Sequence, residues 1–160
     1  MKLIRKMAVI LLALAATSSL AFGQEQQSAN NSIVGTWQVL RHGVDCATGM
    51  RLNPDFPVLT VFNAGGTLNA FGAAPGESLA TGTPDCGNWT HQPGTKTYIV
   101  RDVSYGYDEN GNFTGRGEIT ATVTLATGDT FTADTRIDVY DAGGNLLFSF
   151  CGMWTGTRFK

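Results

Sequence analysis

The side chains of this chain that could hold charge or move a proton in an enclosed site are few. His91, Arg101 and Asp102 lie close together, His42 stands near Asp45, and the cysteines are Cys46, Cys86 and Cys151. A guanidinium or imidazole beside a carboxylate can steer charge or pass a proton within a cavity that folds its substrate, which is cyclase or isomerase chemistry. A metal centre is not expected, because His42 with Asp45, or His91 by itself, makes no ligand set of recognised spacing, and catalytic zinc takes about three protein ligands. Nor does the chain hold a Gly-x-Ser-x-Gly elbow, a helix with paired histidines or a glycine loop that opens a helix. Those nucleophilic, metallohydrolase and nucleotide-binding classes fall away, and no cofactor is expected.

Lys2, Arg5 and Lys6 precede the apolar run MAVILLALAA and the small-residue stretch TSSLAFG, the layout of a secretory signal peptide over 1–23 with cleavage near Gly23. The run is too short to span a bilayer and no second one follows. No transmembrane anchor is expected, and the mature protein is placed in a periplasm or outside the cell. Losing those three residues from 11 basic ones leaves 8 against 13 acidic residues, a net charge of −5. Nucleic acid, which rewards clustered Lys and Arg, is not an expected partner. Residues 24–31, QEQQSANN, read as a flexible polar leader, which leaves 32–160 as a single domain.

The candidate side chains need elements to position them. Glycine and threonine abound, helical periodicity is lacking after residue 32, and NAGGT, DENGN, ATGD and DAGGN are tight-turn sequences between alternating runs. Eight antiparallel strands are predicted, at 33–41, 57–63, 66–71, 87–91, 97–107, 112–125, 129–141 and 145–159. In the seventh, Phe131, Ala133, Thr135, Ile137 and Val139 share the core face; in the sixth, Ile119, Ala121, Val123 and Leu125 do. A sheet with one buried face and no helix to cover it folds over or closes on itself. Eight up-and-down strands close well, as an all-β barrel whose interior is filled or holds one small ligand.

In such a barrel the start of the first strand and the finish of the last are neighbours. Trp37 and Arg158 are predicted to stack there, guanidinium on indole, and to close the floor. The other end receives the long connections 42–56 and 72–86 and is read as the mouth. Cys46 and Cys86 fall at that end and are paired as a disulfide, with Cys151 a filler in the last strand. Parity then gives the ligand-contacting residues as Trp37, Phe62, Trp89, Arg101, Tyr105, Phe131, Phe148, Phe150 and Trp154. An inward Arg101 would invite an anionic head group, and a bulge that turns it to solvent is the other reading of that strand. Cys151 and Met153 would face outward, a candidate contact for a homodimer.

Gly35 and Trp37 at the first strand and Arg158 on the last resemble the calycin superfamily, chiefly the lipocalins, in which these three are structural residues. The central Thr-Asp-Tyr motif of that family is not evident, and no C-terminal helix fits after Phe159. Avidins share the Gly-Thr-Trp opening, and secreted barrels of the allene oxide cyclase and dirigent type match in size and topology. The lipocalin resemblance implies a cup around a small apolar molecule. The sequence is therefore read as an exported barrel that binds a small apolar or amphipathic ligand without chemistry. A barrel cyclase or isomerase is the alternative, and a filled structural barrel stands behind both.

Overall fold

The computed structural model describes residues 32–160; the expected signal peptide over 1–23 and leader over 24–31 lie outside the described residues. Eight strands follow one another: β1 Gly35–Val44, β2 Phe56–Phe62, β3 Thr67–Phe71, β4 Asp85–His91, β5 Thr97–Tyr107, β6 Phe113–Thr127, β7 Thr130–Asp141 and β8 Leu146–Arg158. Each pairs antiparallel with its sequence neighbours and β8 returns to β1, so the sheet is a closed up-and-down barrel, as the alternation and turn sequences predict. A 3₁₀ turn at Leu79–Thr81, capped by the Ser78 hydroxyl, breaks the long connection between β3 and β4. Among the described residues no helix is long and apolar enough to cross a membrane.

Several strand ends differ from expectation by one to three residues, and two of them bear on the cysteines. β1 runs to Val44 because the long β8 supplies partners as far as Cys151, well past the point where β2 stops pairing at Arg41. β4 begins at Asp85, which pairs with Ala70 of β3. Both shifts correct the disulfide. The bond joins Cys46 to Cys151, not to Cys86, because the Val44 and Cys151 pairing brings the loop after β1 over the outer face of β8. Cys151 is thus a bridge rather than a filler. Cys86 lies on the outward side of β4, exposed and unbridged, with the Asn69 amide 3.3 Å from its sulfur.

Alternation sorts the rest. Outward residues of β6 and β7 such as Thr122, Thr124, Thr132, Asp134 and Arg136 are exposed, while Ala121, Val123, Phe131 and Ala133 are buried inside. The floor is aromatic. Trp37, Phe62 and Phe131 are fully buried, with ring centroids 4.9 Å apart for Trp37 and Phe131 and 6.3 Å for Phe62 and Phe131. The Trp37 indole N–H donates to the Ile33 carbonyl at 2.8 Å, so the buried ring keeps no unpaired donor. Arg158, the register partner of Trp37, lays its guanidinium 4.3 Å from the ring centroid. Its Nε donates to Gly128 at 2.9 Å and its Nη1 to Val34 at 2.7 Å. Gly35 makes this possible: its φ is +137°, and a Cβ there would stand 2.6 Å from the Arg158 Nη1.

Candidate functional site

Exposure divides the inward-facing side chains into two zones. Near the floor they are shut off from water: Trp37, Val100, Ala121 and Val123 are all 0 % exposed. Toward the other end Phe56, Ile119, Ile137, Val139 and Phe150 share the same inward parity but are only half-buried. Water therefore reaches into that half of the barrel, and it is the mouth.

Between the zones lies a polar layer. On β1 the inward positions Trp37 and Val39 are followed by Arg41, which is 6 % exposed. Arg41 pairs in register with Trp154 of β8, and its guanidinium lies 4.0 Å from the indole centroid. Its Nη1 donates to Oδ2 of Asp85 at 2.8 Å, an ion pair whose side chains are 7 % and 17 % exposed. The Nε and Nη2 of Arg41 are buried without a hydrogen-bond partner. Those two N–H groups form one edge of the planar guanidinium and point the same way, the geometry that grips two oxygens at once.

Asp102, 5 % exposed on β5, enters the same layer. Gly87 faces it across β4 and supplies the space, since a Cβ on Gly87 would sit 2.6 Å from that of Asp102. Both carboxyl oxygens of Asp102 lack partners. Its pKa is raised to about 7, chiefly by burial and then by the nearby Asp85 carboxylate, with Arg41 pulling in the opposite direction. Two hydroxyls, on Thr60 and Thr135, are buried and unpaired as well. An arginine with a free two-donor edge beside a carboxyl poised near neutrality can seat an oxygen-rich group, or hold a developing negative charge while a proton moves. Among the described residues no three His, Cys, Asp or Glu side chains come together as a metal site.

The residues expected to contact ligand scatter over the barrel. Trp37, Phe62 and Phe131 belong to the floor. The half-buried Trp89 packs edge-on against Tyr98 at 5.6 Å, its N–H shared between the carbonyls of Asn63 and Thr67. Trp154 underlies Arg41. Phe150 stands in the mouth, and Phe148, 55 % exposed, stacks on it at the rim with centroids 6.2 Å apart. Arg101 and Tyr105 are corrections: both point outward and are exposed, Tyr105 against Phe113 at 5.8 Å. The even residues Tyr98, Val100 and Asp102 take the inside of β5, and the pairing with β6 stays regular from Thr97 to Gly106, so no bulge intervenes. Apolar residues on both faces of this strand, Ile99 and Val103 against Tyr98 and Val100, hid the parity. His91 is exposed and bonds the Thr95 carbonyl at 2.8 Å.

Arg41 and Asp85 went unrecognised in the sequence. A signal for Arg41 was present, since it shares the odd parity of Trp37 and Val39. Asp85 carries none, because its sequence surroundings are those of a loop. A groove of about 470 Å³ on the outside of β1, β2 and β8, lined chiefly by Gln38, Leu40, Pro57, Leu59, Thr155 and Thr157, holds no charged group and offers no comparable chemistry.

No protein-family model matches this chain, and no curated protein matches it significantly.

Proposed function

We propose that the protein is an exported carrier that holds a small amphipathic molecule in the open half of its barrel. The polar end of the ligand rests on the layer of Arg41, Asp85 and Asp102, and its apolar part lies among Phe56, Ile119, Ile137 and Phe150. The observation that carries this reading is the set of unpaired donors and acceptors on Arg41 and Asp102, buried directly beneath the water-accessible mouth. A buried polar group without a partner costs on the order of 1–3 kcal/mol. Several in one layer are supported by a partner that enters from outside. The Cys46–Cys151 bond favours an oxidising compartment and so supports export. The contact of Gly35, Trp37 and Arg158 at the floor supports placing the barrel with the calycins.

Native mass spectrometry of the protein recovered from its own source, followed by solvent extraction, tests this. A stoichiometric amphipathic molecule is the expected result. A bare protein whose tryptophan emission is also unmoved by added amphiphiles would overturn it.

The second reading, a cyclase or isomerase, is favoured by one feature: a carboxyl with a pKa of about 7 next to a guanidinium suits proton transfer to or from a substrate whose oxygen Arg41 holds. It predicts turnover that Asp102→Asn abolishes while ligand binding persists.

A further inference from the structure

The chain uses the same pair twice. On β1, Trp37 and Arg41 are inward; on β8, Trp154 and Arg158 are inward. Because the strands run antiparallel, each arginine meets the tryptophan of the other strand, Arg158 over Trp37 and Arg41 over Trp154. At the floor Arg158 turns Nε and Nη1 to backbone carbonyls. One level up, Arg41 is held from one side only. Asp85 takes Nη1, and the Nε and Nη2 edge makes no hydrogen bond. An edge of two parallel N–H donors matches a planar group with two oxygens better than a single hydroxyl or carbonyl.

From this we infer that the ligand is an amphipathic carboxylic acid whose carboxylate is bound two-pronged on the Nε and Nη2 edge of Arg41. The inference rests on the carrier reading and gives it a substrate class. Trp154 fixes the plane of the guanidinium by lying against it, and Asp85 fixes its rotation through Nη1, so the edge without hydrogen bonds is already oriented before a ligand arrives. Both nitrogens are covered, so binding requires a covering side chain to move and admit the head group.

Charge sets a second requirement. The charged groups facing Asp102 are Arg41 from β1 and Asp85 from β4. The neighbouring inward positions of β2, β3, β6, β7 and β8 are Val58, Ala70, Ile119, Thr135 and Trp154, none of which titrates. A ligand carboxylate added beside Asp85 is the second negative charge on one arginine, and an ionised Asp102 would be a third. Asp102 therefore binds the ligand in its protonated form, donating its O–H to a ligand oxygen. Above neutral pH the complex takes up one proton per acid bound.

Titration calorimetry on the mature protein with octanoate, and with 1-octanol as the neutral match, tests the inference. Octanoate is expected to bind at least about tenfold more tightly than octanol at about pH 6, a difference of roughly 1.4 kcal/mol. Arg41→Lys keeps the charge and removes the fork; it should lose that preference and leave octanol unchanged. At about pH 8, comparison of buffers with different ionisation heats should show close to one proton taken up by the wild type and none by Asp102→Asn. If octanol binds as well as octanoate, or the lysine variant keeps the preference, the carboxylate inference fails while the carrier reading stands. If neither molecule binds, both fall. Should the lysine variant not fold, the proton count in wild type and Asp102→Asn decides alone, and no uptake in the wild type overturns the inference.

Discussion

Arg41 and Trp154 face each other across the seam between β1 and β8 in the arrangement that Arg158 and Trp37 adopt at the floor, with the two residue types exchanged between strands. The difference lies in what surrounds each guanidinium. Arg158 is held by two backbone carbonyls and by the Asp129 carboxylate at 3.4 Å, and stacks on a ring packed against Phe131. Arg41 is held by one carboxylate beneath an opening. One pair closes the floor, and the other keeps a buried two-donor edge without a hydrogen bond.

The floor pair should therefore behave as a structural unit. Trp37→Ala is expected to cost on the order of 3 kcal/mol, the usual range for truncating a buried aromatic. Arg158→Ala should cost less and act through the same contact. In urea melts of a double-mutant cycle the losses should be non-additive, because removing the indole already removes what the guanidinium stacks on. Additive losses would show that the two side chains stabilise the fold independently.

The Arg41 and Asp85 pair should be destabilising to break from either side. Asp85→Ala leaves a buried guanidinium with none of its hydrogen bonds, at a cost of about 3 kcal/mol. Asp85→Asn keeps an oxygen acceptor for Nη1 and should cost clearly less. Equal losses for the two variants would mean that the hydrogen bond contributes little and the charge most.

Asp102 sets a pH dependence whose sign follows from its burial. In the unfolded chain an aspartate ionises near pH 3.9, whereas in the folded barrel it does so at about 7. Between those values the native state holds a proton that the unfolded state has shed. The contribution of Asp102 to stability is therefore full below about pH 4, declines as pH rises toward 7 and levels off beyond it. The difference amounts to about 4 kcal/mol. Asp102→Asn removes the effect: its urea midpoint should stay level over that window and exceed the wild type's at about pH 8. A wild-type midpoint that climbs across the same window would contradict the assignment. The turn carboxylates Asp108 and Asp141 act in the opposite sense further into acid. Hydrogen bonds from Asn112 and Asn145 lower their pKa values, so their contribution is lost as pH falls below about 4.

The barrel was legible because two independent signals agreed. Strict alternation in β6 and β7, with threonine and charge outside, gave the faces, and the glycine turns after Asn63, Asp108 and Asp141 gave the reversals. The floor contact followed from closure alone. The polar layer was less legible because its members sit where the local signal fails. Arg41 lies at the last position of β1 that β2 pairs, Asp85 at the first residue of β4, and Asp102 on a strand with apolar residues on both faces. A charged residue inside a barrel is stabilised by side chains from other strands, and a single strand's pattern does not carry those contacts.

The disulfide offers a test that separates the observed pairing from the one the loop positions suggested. Cys46 and Cys151 are 105 residues apart, so their bond closes most of the chain and ties the loop after β1 to the last strand. In a non-reducing digest the peptides containing residues 46 and 151 should migrate as one species, and Cys86, being exposed, should be alkylated without denaturant. Cys151→Ser should lower stability by about 3 kcal/mol, chiefly by releasing the unfolded chain. Cys86→Ser should be close to neutral, since it removes only a contact with Asn69 on the outer surface. A linked peptide pair containing residue 86, or a large loss from Cys86→Ser, would overturn the pairing and with it the anchoring of the loop that borders the mouth.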